Sequence, residues 1–444
     1  MKKIFVTVGL AAAGAAGWSS ASAQSMEAGA EPKFWNVSAS LRGFYDDNYA
    51  VAQNKKGSFG VEFTPSISAN IALKQTDIGV KYTFGMYYYL QRASSGINPL
   101  DMTHQGDLWL DHAFNQKWKL NLTDSIAMAQ DPQLIQGGSV IRVAGNNIAN
   151  HAMATLNTEW TKQFSTAVRY GNNLYNYNNN GVTNAANPGV AGLLNRMEQN
   201  AGIDLQWHFS GETVGFVGYN YSWVRYSGNG HIAEDFNAAP SPFFYSYFSY
   251  NRNYNAHYGY VGVSHEFSPS LSGSARVGVS DTEVLHSYDE KFIVGPSIYY
   301  RPGPSSASLA PYVDTSLIYT YRPGSYLQGG FTHNINSTDV ATPSTATHLL
   351  TEYQESSVFY ANIHHRFNPK LTGSILGQYQ YSTFKEGAYS GKGDTDLIAG
   401  CNLNYQLNRY LSAEVGYNFD DLISSIGGRA NTRNRVYLGL SANY

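Results

Sequence analysis

Cysteine is nearly missing: Cys401 stands alone among 444 residues, which excludes a disulfide framework and a cysteine-based metal site. Charge is scarce as well, at 14% of the chain against about 25% in ordinary soluble domains. The net charge of −3 offers nothing to a nucleic-acid backbone, so no nucleic-acid partner is expected. Beyond the N-terminal leader there is no apolar run of the roughly eighteen residues that a membrane-spanning helix requires. Common catalytic motifs are absent: the chain has no G-x-S-x-G elbow, no G-x-x-x-x-G-K-[ST] loop and no H-E-x-x-H pair. No enzyme activity, cofactor or metal is expected on these grounds.

What is present points elsewhere. Lys2 and Lys3 precede an apolar run from Ile4 to Trp18, and Ala21-Ser22-Ala23 offers small residues for cleavage. Residues 1–23 therefore read as a cleaved signal peptide. Residues 24–33 read as a short periplasmic segment, and 34–444 as one domain with no linker signal inside it. Tyr (35) and Phe (21) are abundant.

The final stretch, Arg435 to Tyr444, sets the pattern. Val436, Leu438, Leu440, Ala442 and Tyr444 alternate with Tyr437, Gly439, Ser441 and Asn443. A period of two makes a strand with one apolar face. With no turn after it, its free edge is satisfied by pairing with the first strand, which closes a barrel. Upstream, similar segments are joined alternately by tight turns and by long polar loops. The turns fall at Lys74-Gln75-Thr76, Asn115-Gln116-Lys117, Gln163, Ser210-Gly211, Ser268-Pro269, Arg322-Pro323-Gly324, Asn368-Pro369 and Asn408-Arg409. Short turns on one side and long loops on the other are the pattern of a transmembrane β-barrel. The expectation is an all-β fold: a single antiparallel up-and-down barrel with short periplasmic turns and long extracellular loops. About eighteen strands can be counted, with sixteen as the alternative. The ambiguity lies at 286–309, where Lys291 to Tyr300 reads either as a further strand or as a hairpin above the membrane.

Nearly every segment has an apolar face, as in Ile78, Val80, Tyr82, Phe84 and Met86 against Gly79, Lys81, Thr83 and Gly85. Few helical segments exist to cover these faces, so lipid is the expected partner and the polar face lines a lumen. Trp35, Phe114, Trp118, Trp160, Trp207, Phe209, Phe267 and Phe367 lie near the tight turns, as an interfacial girdle requires. Asp124 is a misfit on the lipid face: either the register breaks there or a subunit contact covers it.

The leader, the turn–strand units and the terminal strand resemble bacterial outer-membrane β-barrels of the putative β-barrel porin type. Gly439, five positions before the terminal Tyr444, is similar to the signal read by the barrel-assembly machinery, although Ala442 stands where that pattern often has an aromatic. The hairpin from Pro311 to His333 also resembles hairpins of that group. The resemblance implies residence in the outer membrane and identifies no substrate.

Strand parity assigns Arg42, Lys81, Arg169, Arg276, Arg366, Arg433 and Arg435 to the lumen, with Glu62, Asp107, Asp111, Asp204, Asp314, Asp396, Glu414 and Asp420. Both signs occur in similar number, so strong ion selectivity does not follow; a salt-bridged lumen is the competing expectation. The loop Asp131 to Asn150, with Arg142 and bends at Gly137-Gly138 and Gly145, is a candidate constriction. A lipid-facing hydrolase would need a Ser and a His together on the outer face. His365 faces outward, but no recognisable Ser motif accompanies it. His364 points to the opposite face from His365, and His257 and His265 are roughly 26 Å apart along a strand. Asp394 and Asp396 share a face and are a weak Ca²⁺ candidate. The aromatic run Ser241 to Tyr260 is either a sugar- or partner-binding patch or loop packing. The function expected is passive diffusion of small hydrophilic solutes, with homo-oligomerisation open. The alternative is a barrel without an open pore that acts through its aromatic loops in adhesion or surface structure. A plugged transporter is disfavoured by the short segment before the first strand.

Overall fold

The computed structural model describes residues 34–444 apart from 97, 130–134, 137–138, 141–146, 178–189, 228–229, 237–243 and 295–296. Eighteen strands form one antiparallel sheet. They are β1 (Trp35–Asp46), β2 (Ser58–Ala72), β3 (Thr76–Tyr89), β4 (Leu100–Ala113), β5 (Trp118–Ala129), β6 (Asn147–Glu159), β7 (Phe164–Tyr177), β8 (Arg196–His208) and β9 (Thr213–Tyr226). The ring continues with β10 (Tyr254–Ser268), β11 (Leu271–Val284), β12 (Ser306–Arg322), β13 (Ser325–Asn336), β14 (Tyr353–Arg366), β15 (Leu371–Lys385), β16 (Gly393–Gln406), β17 (Leu411–Ser424) and β18 (Asn431–Asn443). Chain neighbours pair throughout, and β1 meets β18 in register from Ser38↔Asn443 to Asp46↔Arg435. The sheet is a closed barrel. Strand spacing and tilt make it about 35 Å across between backbones.

The tight turns owe their shape to local chemistry. Asn115, Asn368 and Asn408 each turn a side-chain oxygen onto the two backbone N–H groups that open the next strand, at 2.8–3.0 Å. These are Asx turns, which mimic a backbone reversal. At Arg322-Pro323-Gly324, proline sets one turn position and Gly324 takes φ +74 at the next. Sixteen strands is set aside. Asp289–Val294 and Ser297–Pro302 form a hairpin, but it joins His231–Phe236 and Phe244–Phe248 in a separate four-stranded sheet.

Alternation sends the apolar face outward. Val436, Leu438 and Leu440 are exposed, while Arg433 and Tyr437, of the opposite parity, are buried on the inner wall. Phe114, Trp160, Trp207, Phe209, Phe267 and Phe367 are exposed beside the tight turns and ring the barrel there. Asp124 lies in unbroken register, opposite Leu108 and Ala152, and faces outward with them. Asn150 donates to its carboxylate at 2.6 Å.

Inward aromatics lie flat on neighbouring strands, and the position beneath has no room for a side chain. A Cβ on Gly416 would sit 2.3 Å from the Tyr437 ring, and one on Gly439 would sit 2.6 Å from Arg42 Cγ. Gly439 thus lets Arg42 cross the seam between the first and last strands.

The two halves of the lumen differ. On β15, Thr372, Ser374 and Gln378 near the tight turns keep partial solvent contact, whereas Gln380, Ser382 and Phe384 nearer the long loops are buried. β11 and β14 show the same gradient. The long connections cause it by packing together over the rim. Ile232, Tyr247 and Leu350, from two connections, form one apolar cluster with Leu193 and Tyr288 from two others. Arg252, only 1% exposed, donates to the carbonyls of Leu193 and Thr338. Arg429 holds Asp339 and Asp394 at 2.6 and 2.7 Å. The segment 337–352 is therefore tied down at both ends. Tyr245 stacks on His348 at 4.1 Å, so the described part of the aromatic run packs this cap, and Tyr254, Tyr258 and Tyr260 point into the barrel. Phe243 of that run lies outside the described residues.

Two outcomes test this arrangement. Gly439→Val should displace Arg42 and lower barrel stability by about 1–3 kcal/mol, seen as a lower midpoint of heat-modifiable gel mobility. An unchanged midpoint would contradict the packing. Burial pushes the Glu352 carboxyl up to about 6, against hydrogen bonds from Ser287 and Ser306. The protonated form favours the cap, so its stabilisation is full below the ordinary value of 4.5 and is lost as pH rises through about 6. The swing is about 2 kcal/mol. Proteolytic nicking of 337–352 should be faster at pH 7 than at pH 4.5, and Glu352→Gln should remove the difference.

Candidate functional site

The inner wall carries the charged residues of the strands, and most of them meet in pairs. At the seam, Arg42 Nε and Nη2 bind both oxygens of Glu414 at 2.7 and 3.1 Å, and Nη1 reaches Glu62 at 3.0 Å. Arg435 donates to the other Glu62 oxygen at 3.1 Å. Arg42 covers the Tyr437 ring and Arg435 the Phe44 ring, at 4.9 and 4.2 Å from their centroids. Two cations on two carboxylates across four strands leave little net field. Bidentate geometry and half-burial make these ion pairs stronger than exposed ones.

A second network lies on β7–β12. Arg169 makes two bonds to Asp204, at 2.6 and 2.8 Å, and Tyr260 donates to the same carboxylate at 2.7 Å. Arg276 pairs with Asp314 at 3.5 Å and covers Phe216 at 5.4 Å. Near the extracellular end Arg433 binds Asp46 at 2.5 Å, and Asp420 lies opposite Arg433 in register. Asp396 sits opposite Gln380 on the buried part of the wall.

The wall of β3–β5 differs. Lys81 and Asp107 are register partners with no ion pair within 4 Å between them. Asp107 instead accepts from Ser125 at 2.7 Å and from Gln105 at 3.2 Å, and Asp111 accepts from Asn121 at 2.5 Å. Thr83, Thr103, Gln105, Asp107 and Asp111 all retain solvent contact. Arg366 also faces inward with partial exposure. Arg142 lies outside the described residues. Gln105 and Trp109 share the parity of Asp107 and Ser125 faces it across the strand pair, so uncharged side chains join the charged ones on this wall.

The other sequence candidates resolve individually. His364 stacks on Tyr326, and His365 binds the Tyr321 hydroxyl at 2.7 Å on the outer face. His257 and His265 also face outward, bound to Tyr219 and Thr213. Asp394 is held by Arg429. Among the described residues no group of three or more His, Cys, Asp or Glu side chains could hold a metal.

Residues 354–444 match the family model described as "Putative beta-barrel porin 2". No curated protein matches the chain. Among solved structures, the outer membrane protein opdK of Pseudomonas aeruginosa is similar at 8% identity and TM-score 0.45, covering 92% of this chain and 99% of its own. OccAB4 of Acinetobacter baumannii is similar at 11% identity and TM-score 0.40, covering 93% and 99%. The siderophore receptor PirA of Acinetobacter baumannii is similar at 10% identity and TM-score 0.39, covering 94% and 81%. The family match spans β14–β18, the strands that end at the closing seam. The ring of eighteen strands is closed and carries an apolar outer belt, and its last five strands are similar to the putative β-barrel porin family.

Proposed function

We propose that the barrel passes small hydrophilic solutes across the outer membrane by passive diffusion. The observation that carries this reading is the β3–β5 wall, whose polar side chains keep solvent contact from Asp111 up to Thr103 while the opposite half lies under the loop cap. Solutes would move along this side, selected by size and by local charge. The paired charges elsewhere would order water across the lumen and disfavour apolar solutes. In this reading residues 1–23 direct export, and Gly439 with Tyr444 presents the last strand to the barrel-assembly machinery. An adhesive barrel has its own support in the exposed Ile298, Tyr299 and Tyr300 of the loop hairpin.

Single-channel conductance of the refolded protein, with neutral sugars of graded size, separates the two. A pore gives ohmic steps with a sharp sugar cutoff, and deleting 338–350 raises that cutoff. Asp107→Asn with Asp111→Asn shifts the reversal potential away from cation preference. A folded but silent barrel would remove the diffusion reading.

We also propose that a second copy of the chain covers the outer wall of β5–β8. Asp124, Asn172 and Gln199 fall on one register row there, through Ala152. Asp124 stands about 15 Å from the Trp118 girdle, within the belt. A groove of about 420 Å³ lined by Ile78, Leu108, Leu122, Ala152, Ala154 and Tyr170 adjoins it. Hydrocarbon cannot hydrogen-bond these groups. Amides carry both donors and acceptors, so the row complements a symmetry-related copy of itself. Asp124→Leu with Asn172→Leu should shift a nanodisc-embedded oligomer to monomer by mass photometry. A monomeric wild type would refute the interface.

A further inference from the structure

We propose that the outer wall at β13–β14 carries a serine esterase site for acyl esters of lipids in the extracellular leaflet. The sequence separates the participants, and register unites them. His333 on β13 lies directly opposite Ser357 on β14. Glu355, two residues along β14, shares the face of Ser357. His333 Nδ1 is 2.8 Å from the Ser357 hydroxyl, and His333 Nε2 is 2.9 Å from Glu355 Oε1. Lys385 on β15 fixes the other Glu355 oxygen at 2.5 Å. Glu355 accepts only from a protonated Nε2, and that tautomer leaves Nδ1 free to accept the Ser357 proton. Nucleophile, base and orienting carboxylate are thus in hydrogen-bond contact in the required order.

The surroundings set the substrate class. Ser357 shares its outward face with Phe359, which is 51% exposed. It lies about 25 Å along the barrel axis from the girdle residue Phe367, which is the height of the whole apolar belt. That depth is the outer boundary of the hydrocarbon, where ester groups join acyl chains to headgroups. Below Ser357, Phe331 and Phe359 pack at 4.4 Å, and Tyr379 follows at 6.4 Å from Phe359. The three rings are register partners on β13, β14 and β15, so they form an apolar row across the strands one step below the serine, on which an acyl chain would lie with its ester at Ser357. The outward histidines His104, His257 and His365 are each bound to a tyrosine hydroxyl, and His112 and His265 to a threonine hydroxyl, none of these contacts including a carboxylate. A histidine that serves only as an interface anchor is satisfied by one hydroxyl, whereas His333 holds a serine and a carboxylate together.

The reaction is hydrolysis, with water as the only co-reactant. Ser357 Oγ adds to the ester carbonyl as its proton passes to His333 Nδ1. The tetrahedral adduct collapses, and the leaving alkoxide takes that proton to depart as the alcohol. Water then attacks the acyl-Ser357 ester, gives a proton to His333, and releases the fatty acid as the serine recovers its proton. Ser357 and His333 touch the reacting atoms; Glu355 and Lys385 position the imidazole. The site is on the outside of the barrel and does not depend on whether the lumen conducts.

The test uses the refolded full barrel in detergent micelles with p-nitrophenyl laurate and p-nitrophenyl acetate, and a fluorophosphonate probe read by mass spectrometry. The expected result is laurate hydrolysis well above the acetate rate, with the probe on Ser357. Ser357→Ala should abolish labelling and lower kcat at least about 1000-fold, and Glu355→Gln about 100-fold or more with little change in KM. Heat-modifiable mobility should stay unchanged in both, since neither side chain joins the barrel interior. Wild-type turnover and labelling no greater than those of Ser357→Ala would overturn the site. Equal rates on acetate and laurate would overturn the lipid assignment.

Discussion

The structure depends on one constraint: in hydrocarbon, a backbone N–H or C=O has no partner outside the chain. A sheet meets it only by closing, and here closure rests on the pairing of β1 with β18. The strands between them then have fixed faces, because a slip of one residue would turn every side chain to the wrong medium. Turn chemistry, girdle aromatics and the alternation of each strand all follow from the same requirement.

Closure also crowds the inner wall. Large side chains must lie along the barrel rather than across it, which places arginines flat on aromatic rings and glycines beneath them. Arg42 over Gly439, between Glu62 and Glu414, ties the first two strands to the last two. Elsewhere the arginines meet carboxylates from adjacent strands in the same way, so the wall is polar but locally neutral. The long connections complete the lumen. Having apolar residues of their own, they pack on one another over the rim and bury the extracellular half of the wall they cover. The β3–β5 side retains its contact with solvent.

The outer wall is the simpler surface, and its exceptions are therefore informative. Polar residues on it include two clusters at different heights. Asp124, which accepts from Asn150, and the amides of Asn172 and Gln199 lie within the belt, where hydrocarbon offers them no further partner. His333, Ser357 and Glu355 lie at its extracellular boundary, where lipid esters are within reach.

The barrel itself was legible in residues such as those of the terminal strand, because a period of two with one apolar face has a single reading once no helix can cover that face. The turns at Asn115, Asn368 and Asn408 were legible too, since an Asx turn is a local event. Face assignments such as Arg42 and Glu62 inward and Asp124 outward needed only parity. Three things did not follow from the chain alone. The hairpin at 289–302 left the barrel because it could pair with a loop hairpin distant in sequence. Which arginine meets which carboxylate was set by register between strands. The approach of His333 to Ser357 was hidden for the same reason: no motif links positions that only a cross-strand pairing brings together. Sequence periodicity determined which side of the wall each residue faces, and tertiary pairing decided which residues meet there.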